Sequence, residues 1–307
     1  MEEKGKKGRM DYTLLLIVVL LVVIGLVILY STSAYNGQVK FHDSFYYLKK
    51  QAFATVLGIV LMLFVAGMDY HIWQRLAVFG YLAAVALSVA VMLFGREING
   101  SKRWLALGPF SFQPSEFAKV ALILFLADLV TKNVKTIGKM WTLCRIMFWI
   151  LPIVGLVGAS NLSTAIIILG IGVILIFVAS PKYAQFALMG IAGACFMGIF
   201  LALESYRLER LAIWRNPEKY EKGYQTLQGL YAIGSGGVFG VGIGNSVQKL
   251  GFVPEAQNDM IFSIICEELG LAGAGIIVFL FLLLIWRFFL IASGSRDLFG
   301  ALIATGA

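Results

Sequence analysis

Blocks of roughly 18–20 consecutive apolar residues recur along this chain, and blocks of that length and purity leave few folds open. In hydrocarbon no water pairs with backbone N–H and C=O groups, so only helices or closed barrels can span a bilayer. Barrel strands alternate apolar and polar residues; the stretch from Thr13 to Tyr30 and its successors do not. The fold class is therefore an all-α, polytopic transmembrane helix bundle. Composition agrees, with 60% hydrophobic and 14% charged residues against about 45–50% and about 25% in soluble domains.

The expected spans cover residues 13–30, 51–67, 76–94, 115–131, 145–158, 162–180, 183–203 and 263–291, and a ninth begins near Leu298. That makes about eight complete spans plus the start of a ninth, read as one integral membrane domain over 1–307. The last block stops at Ala307, short of the roughly 20 residues a span needs, so the final spans are expected to lie beyond this sequence. The first block is longer than the apolar core of a secretory signal and reads as a retained helix. Residues 204–260 form the longest loop, and their aromatic, Gly and apolar content points to an ordered segment.

The net charge of +8 does not indicate nucleic acid, because Lys and Arg lie between apolar blocks, where topology and anionic head groups account for them. Their density favours a cytoplasmic N-terminus. The loops on the other side, including 204–260, are then extracytoplasmic, yet they carry a surplus of Lys and Arg that suits an anionic ligand. Cys144, Cys195 and Cys266 have no paired spacing, and His42 and His71 are too separated for a metal motif, so neither a disulfide framework nor a metal site is expected.

Four clusters carry polar chemistry. In the first, Lys102, Arg103 and Trp104 precede a helix start at Pro114-Ser115; Glu116 falls in its first turn, where the dipole favours an anion, and Lys119 shares its face. This is either an interfacial ion pair with a Trp anchor or a site for an anionic substrate. The second, Gly234 to Gly244, is a tight or flexible loop or a phosphate cradle; with no preceding strand it is weak as a dinucleotide motif. In the third, Asp259 follows the turn from Pro254 and precedes an apolar run, either as a helix cap or as a general base. Glu267 and Glu268 lie deeper and need basic partners, for which Arg103 and Lys119 are the candidates. The fourth is a helix-to-helix turn with Asn161 as cap.

Lys102-Arg-Trp104 with Gly108-Pro-Phe-Ser-Phe-Gln-Pro-Ser-Glu-Phe-Ala-Lys119, Gln225-Thr-Leu-Gln228 with the glycine run, Lys249 with Pro254-Glu-Ala256, and Asp259 through Gly270 resemble the SEDS family (FtsW/RodA/SpoVE) of bacterial cell-wall polymerases, in the family's order along nearly the whole chain. Val27 to Ala34 also resembles the end of the family's first helix. The resemblance implies about ten spans and a large outer loop before the eighth. It implies a peptidoglycan glycosyltransferase of the bacterial plasma membrane, acting in cell shape, division or sporulation. Its substrate is lipid II and its partner a class B penicillin-binding-protein transpeptidase, alongside other divisome or elongasome membrane proteins. The family's essential Asp matches Asp259, its outer-loop Arg and Trp match Arg103 and Trp104, and its fourth-span Glu and Lys match Glu116 and Lys119. Asn161 stands where many members have Asp.

The residue types suit inverting hexosyl transfer from a lipid diphosphate. A carboxylate takes the proton of the attacking hydroxyl, and cations stabilise the leaving diphosphate. Asp259 is the expected base. Lys102, Arg103, Lys119, Arg210 and Lys249 are the expected diphosphate cations, with a divalent cation at the diphosphate as the candidate cofactor; Trp104, Glu116, Glu267 and Glu268 complete the expected substrate site. A lipid II flippase and a non-catalytic scaffold are the alternatives. Most acids and bases lie at outer helix ends, which favours the enzyme.

Overall fold

The apolar blocks do become helices, and they run further than hydropathy suggests. The structure is a computed structural model and describes residues 10–98, 101–107, 110–180, 182–186, 190 and 212–307, with 96–98, 101, 102, 106, 107, 110 and 222 described by backbone alone. The chain forms α1 (Tyr12–Phe41), α2 (Tyr46–Ala66), α3 (His71–Phe94), strands β1 (Arg96–Ile98), β2 (Ser101–Leu107) and β3 (Phe110–Phe112), α4 (Pro114–Lys132), α5 (Met140–Gly158), α6 (Leu162–Ala179), α7 (Tyr224–Ser235), α8 (Ile261–Ser293) and α9 (Leu298–Gly306). Among the described residues α1, α2, α3, α5, α6 and α8 are long and apolar enough to cross a membrane. The expected span 183–203 lies mostly outside the described residues.

Helices α2, α3 and α5 begin up to five residues before their expected starts at 51, 76 and 145. Their first turns mix polar and aromatic residues with aliphatic ones. That lowers hydropathy but not helix propensity, and it suits the interface where such residues collect. Helix α1 runs on past Tyr30 because its hydroxyls find partners: Thr32 Oγ1 donates back to Ile28 O at 3.0 Å.

One element departs from the all-helical expectation. Between α3 and α4 the chain forms a small antiparallel sheet in the order β1-β2-β3, with Glu97 opposite Lys102 and Leu105 opposite Phe112. The hairpin gives a loop that leaves the lipid region its own backbone partners.

Contacts divide the chain into two compact bodies, 1–67 with 195–287 and 68–194 with 288–307. In the first body α1 and α8 run antiparallel: Arg287 Nη2 lies 2.9 Å from Asp11 Oδ2 at one end, and Asn36 Nδ2 donates at 3.0 Å to Oε1 of Gln257, in the turns just before α8, at the other. Burial alone would push the Asp11 carboxyl up, but Arg287 and the Leu14 amide more than offset it and hold it below the ordinary value of 3.8. The tie is therefore kept at neutral pH and is lost only as pH falls through that lowered value.

Helix α8 is not continuous. Gly270 has φ 67° and ψ −171°, a conformation essentially reserved for glycine. The broken turn leaves backbone groups without helical partners, which is tolerable at membrane depth only if protein satisfies them. The glycine run does so: Leu271 N and Ala272 N donate to Gly237 O and Val238 O at 2.9 and 3.0 Å, and Val241 N and Gly242 N donate to Glu267 O and Glu268 O at 3.0 and 2.9 Å. Approach is so close that a Cβ on Gly270 would meet Gly240 N at 2.3 Å, and one on Gly240 would meet Glu268 O at 2.2 Å. Gly270→Ala is expected to destabilise the protein by about 1–3 kcal/mol from backbone strain alone, with the clash adding to that. Thermal unfolding in detergent would reveal it, and an unchanged midpoint would mean that the loop yields.

The second body is built round α4, whose Ala118, Leu122, Leu126, Ala127 and Val130 are fully buried in a core shared with α3, α5, α6 and α9. Within that enclosure α4 carries the buried Asp128, while Glu116, Lys119 and Lys132 lie toward its ends. Its polar residues meet protein partners: Asp128 bonds Lys132 Nζ at 2.7 Å and Gln74 Nε2 at 3.0 Å. At the same end His71 bridges Asp69 and Asp297, at 2.7 and 2.9 Å.

Candidate active site

The second body gathers the first sequence cluster. β2 presents Arg103, exposed, beside the half-buried Trp104. Arg103 Nε donates to Ser160 O at 3.1 Å, so the guanidinium lies on the turn between α5 and α6. Asn161 caps α6 there, its Oδ1 accepting from Thr164 N at 3.3 Å, as the sequence suggests. Arg103, Ser115, Ser160 and Asn161 line a cavity of about 10 Å³, room for a single water. Among the described residues no carboxylate pairs with Arg103, which leaves its outer nitrogens for an anion.

Helix α4 starts with Pro114 at its first position and has Glu116 in its first turn, an arrangement the fixed proline φ and the helix dipole both favour. Lys119 Nζ lies 2.9 Å from Glu116 Oε2, with the Glu116 side chain 57% exposed. So exposed a pair contributes about 0–1 kcal/mol, and Lys119 can leave it for a phosphate oxygen at little cost. The side chain of Lys102 and the whole of Arg210 lie outside the described residues.

The first body holds Asp259, Glu267 and Glu268. Asp259 lies in the turns preceding α8 and is exposed. Its carboxylate makes no hydrogen bond or ion pair among the described residues, so it does not cap α8. The groups around it are fixed instead. Val253 and Ala256 are buried against Ala232 and Ile264, Asn258 N donates to Glu255 O at 2.9 Å, and Gln225 Nε2 reaches Pro254 O at 3.5 Å.

Glu267 and Glu268 do have partners, but not Arg103 or Lys119. Lys249 Nζ lies 2.7 Å from Glu268 Oε1, with side chains 7% and 0% exposed, and 2.9 Å from Ser31 Oγ. Glu267 accepts from the Ser246 hydroxyl and, at 3.0 Å, from Val247 N. Lys249, expected among the diphosphate cations, is thus turned inward, and so are both glutamates expected at the substrate. The partners that sequence reasoning missed are Ser31 and Ser246; the available signal was the run Ser31-Thr-Ser33 at the end of an apolar block. The glycine run is a close-packed backbone partner of α8 rather than a phosphate cradle, since its Val241 and Gly242 amides are already bonded. Among the described residues no group of three or more His, Cys, Asp or Glu side chains could hold a metal ion.

The order of these motifs, the broken α8 and the multi-pass bundle suit one family. A family model described as cell cycle protein, FtsW/RodA/SpoVE, matches residues 12–307. The chain belongs to the FtsW/RodA/SpoVE family. Stage V sporulation protein E of Bacillus subtilis (strain 168), a relative, is 38% identical over 314 residues, which cover 98% of this chain and 84% of that protein. The probable peptidoglycan glycosyltransferase FtsW of Trichlorobacter lovleyi is 34% identical over 302 residues, 96% of this chain and 79% of its own. Among solved structures, a chain described under structural coordination of polymerization and crosslinking by a peptidoglycan synthase complex matches with TM-score 0.77 at 28% identity, covering 96% of this chain and 82% of that one. Rod shape determining protein RodA of Thermus thermophilus matches with TM-score 0.68 at 26% identity, covering 96% and 79%. This FtsW/RodA/SpoVE member is therefore a multi-pass membrane protein with the family's fold.

Proposed function

We propose that this chain is a peptidoglycan glycosyltransferase that polymerises lipid II into glycan strands, with Asp259 as general base. The observation that carries the reading is an exposed carboxylate, without a partner among the described residues, on a segment anchored on either side of it. The antiparallel run of α1 against α8 supports its placement across the membrane from the N-terminus. Asp11, paired with Arg287 on α8, and Asn36, paired with Gln257 just before α8, are separated by about 37 Å of helix at 1.5 Å per residue, more than the roughly 30 Å hydrocarbon core. With a cytoplasmic N-terminus, favoured by the Lys and Arg density, Asp259 faces the outer leaflet.

In the reaction a hydroxyl of the acceptor sugar attacks the anomeric carbon of the donor and its proton passes to Asp259, while the bond to the lipid diphosphate breaks with inversion. Arg103 and Lys119 are the cations proposed for the diphosphate, joined by Lys102 and Arg210; Trp104 and Glu116 border them. A divalent cation would add its charge at the same oxygens. The proposed partner is a class B penicillin-binding-protein transpeptidase, in line with the relative solved in a peptidoglycan synthase complex, within a divisome or elongasome assembly. Arg103→Ala should lower kcat/KM for lipid II about ten- to hundredfold, the worth of a hydrogen bond to a charged group at about 1.5–3 kcal/mol, with little effect on folding.

Flipping of the same lipid is the second reading, because a discontinuous helix with buried charges suits transport. Against it, Lys249, Glu267 and Glu268 are buried and already bonded to partners within the protein. Vesicles carrying the full-length protein with its partner separate the two. Labelled lipid II should appear as glycan strands on a gel; translocation of the labelled lipid without strand formation would overturn the enzyme.

A further inference from the structure

We infer that the buried cluster of Lys249, Glu268 and Ser31 is a positioning device for Asp259, closing the segment that carries this carboxylate and holding it on α8. The inference deepens the glycosyltransferase reading and rests on it. Lys249 and Glu268 are 19 positions apart, and Asp259 lies between them. Their contact therefore shuts the chain into a loop with the reactive carboxylate on it. Lys249 is 6% exposed, Glu268 0% and Ser31 7%, so none of the three can meet a sugar or a diphosphate. Ser31 Oγ lies 2.7 and 2.8 Å from the two Glu268 oxygens, which pins the closure to α1 as well.

Further anchors act in the same direction. Glu267, next to Glu268, accepts from Ser246 and from Val247 N. Val253 N donates to Gln248 O at 2.9 Å, and Gln257 bonds Asn36 on α1. The segment from Ser246 to Met260 is thus held at its start, middle and end, while the exposed Asp259 carboxylate bonds nothing among the described residues. A buried ion pair adds little net stability over an apolar pair of the same volume, so stability does not account for charge at this place. Direction does: short charge-assisted hydrogen bonds fix a loop to tenths of an ångström, and a reacting group displaced by about 1 Å loses about a hundredfold in rate.

Because Lys249→Met alone strands a buried carboxylate and can prevent folding, the test uses Lys249→Met/Glu268→Met, which removes both charges together. In the full-length protein with its partner, this double variant should fold, and kcat for lipid II polymerisation should fall about ten- to hundredfold with KM within twofold. Asp259→Asn should then cost at least tenfold less in this background than in the unaltered chain, since the two act as a unit. Amide hydrogen exchange at Val253 and Asn258 should accelerate at least tenfold. An unchanged kcat, a loss confined to KM, or equal costs of Asp259→Asn in both backgrounds would overturn the inference. If Asp259→Asn by itself leaves the rate intact, the general-base reading fails on its own, and unchanged exchange at Val253 and Asn258 would still dismiss the positioning role separately.

Discussion

Asp259→Asn is expected to slow lipid II polymerisation by about 10²–10⁴-fold, the usual contribution of a general base, without loss of folded protein. The amide keeps the shape and polarity of the side chain but cannot take up the hydroxyl proton as the glycosidic bond forms. Folding should be untouched because the carboxylate is exposed and bonds nothing among the described residues; such surface changes usually stay within about 0.5 kcal/mol. The loss should appear in kcat, since the proton moves only in the transition state. Initial rates of strand formation, measured beside the thermal unfolding midpoint in the same detergent, decide the matter. Asp259→Glu keeps a proton acceptor at a shifted position and should retain part of the rate. A normal rate for Asp259→Asn with normal unfolding would end the general-base assignment and leave the family and fold standing.

Lys249→Met should lower stability by about 3–5 kcal/mol, because it leaves the Glu268 carboxylate buried without its cation. That side chain is 0% exposed, so water cannot replace the ammonium, and Ser31 supplies only a single neutral donor. Removing the carboxylate as well should restore most of the loss, since an apolar pair of similar volume packs as well as the ions it replaces. The Lys119–Glu116 pair is the internal comparison. Its partners are 28% and 57% exposed, and Lys119→Met should cost no more than about 1 kcal/mol. Equal unfolding midpoints for Lys249→Met and Lys119→Met would show that water reaches the Glu268 pair.

Much of the bundle is legible in the sequence because each span is a local fact. Twenty apolar residues in a row favour bilayer burial whatever surrounds them, and Leu162 to Ala179 or Pro114 to Lys132 can be bounded within a residue or two. Capping is local too, and Asn161 at α6 is read correctly from four consecutive residues. The hairpin of β1, β2 and β3 is less visible, since its strands are short and lie among residues that also suit an interfacial loop. The break at Gly270 is harder still. Nothing in Leu269-Gly270-Leu271 distinguishes a kink from an ordinary helical glycine until the run from Gly236 to Gly244 is seen to pair with it.

The candidate site divides in the same way. The residue types at Arg103, Glu116, Lys119 and Asp259 and the motifs around them could be read in order along the chain. Which charges pair with which could not. Glu268 has Arg103 and Lys119 as the expected options, but it meets Lys249 and Ser31, the latter 237 positions away. The sequence by itself determined that this chain is a helical membrane protein of the FtsW/RodA/SpoVE type, because hydrophobicity, capping and motif order act over a few neighbouring residues. Only the tertiary structure decided that Lys249 and both glutamates face inward while Asp259 stays open. Pairing inside a low-dielectric body depends on which distant groups the packing brings within hydrogen-bond distance, and no local pattern encodes that.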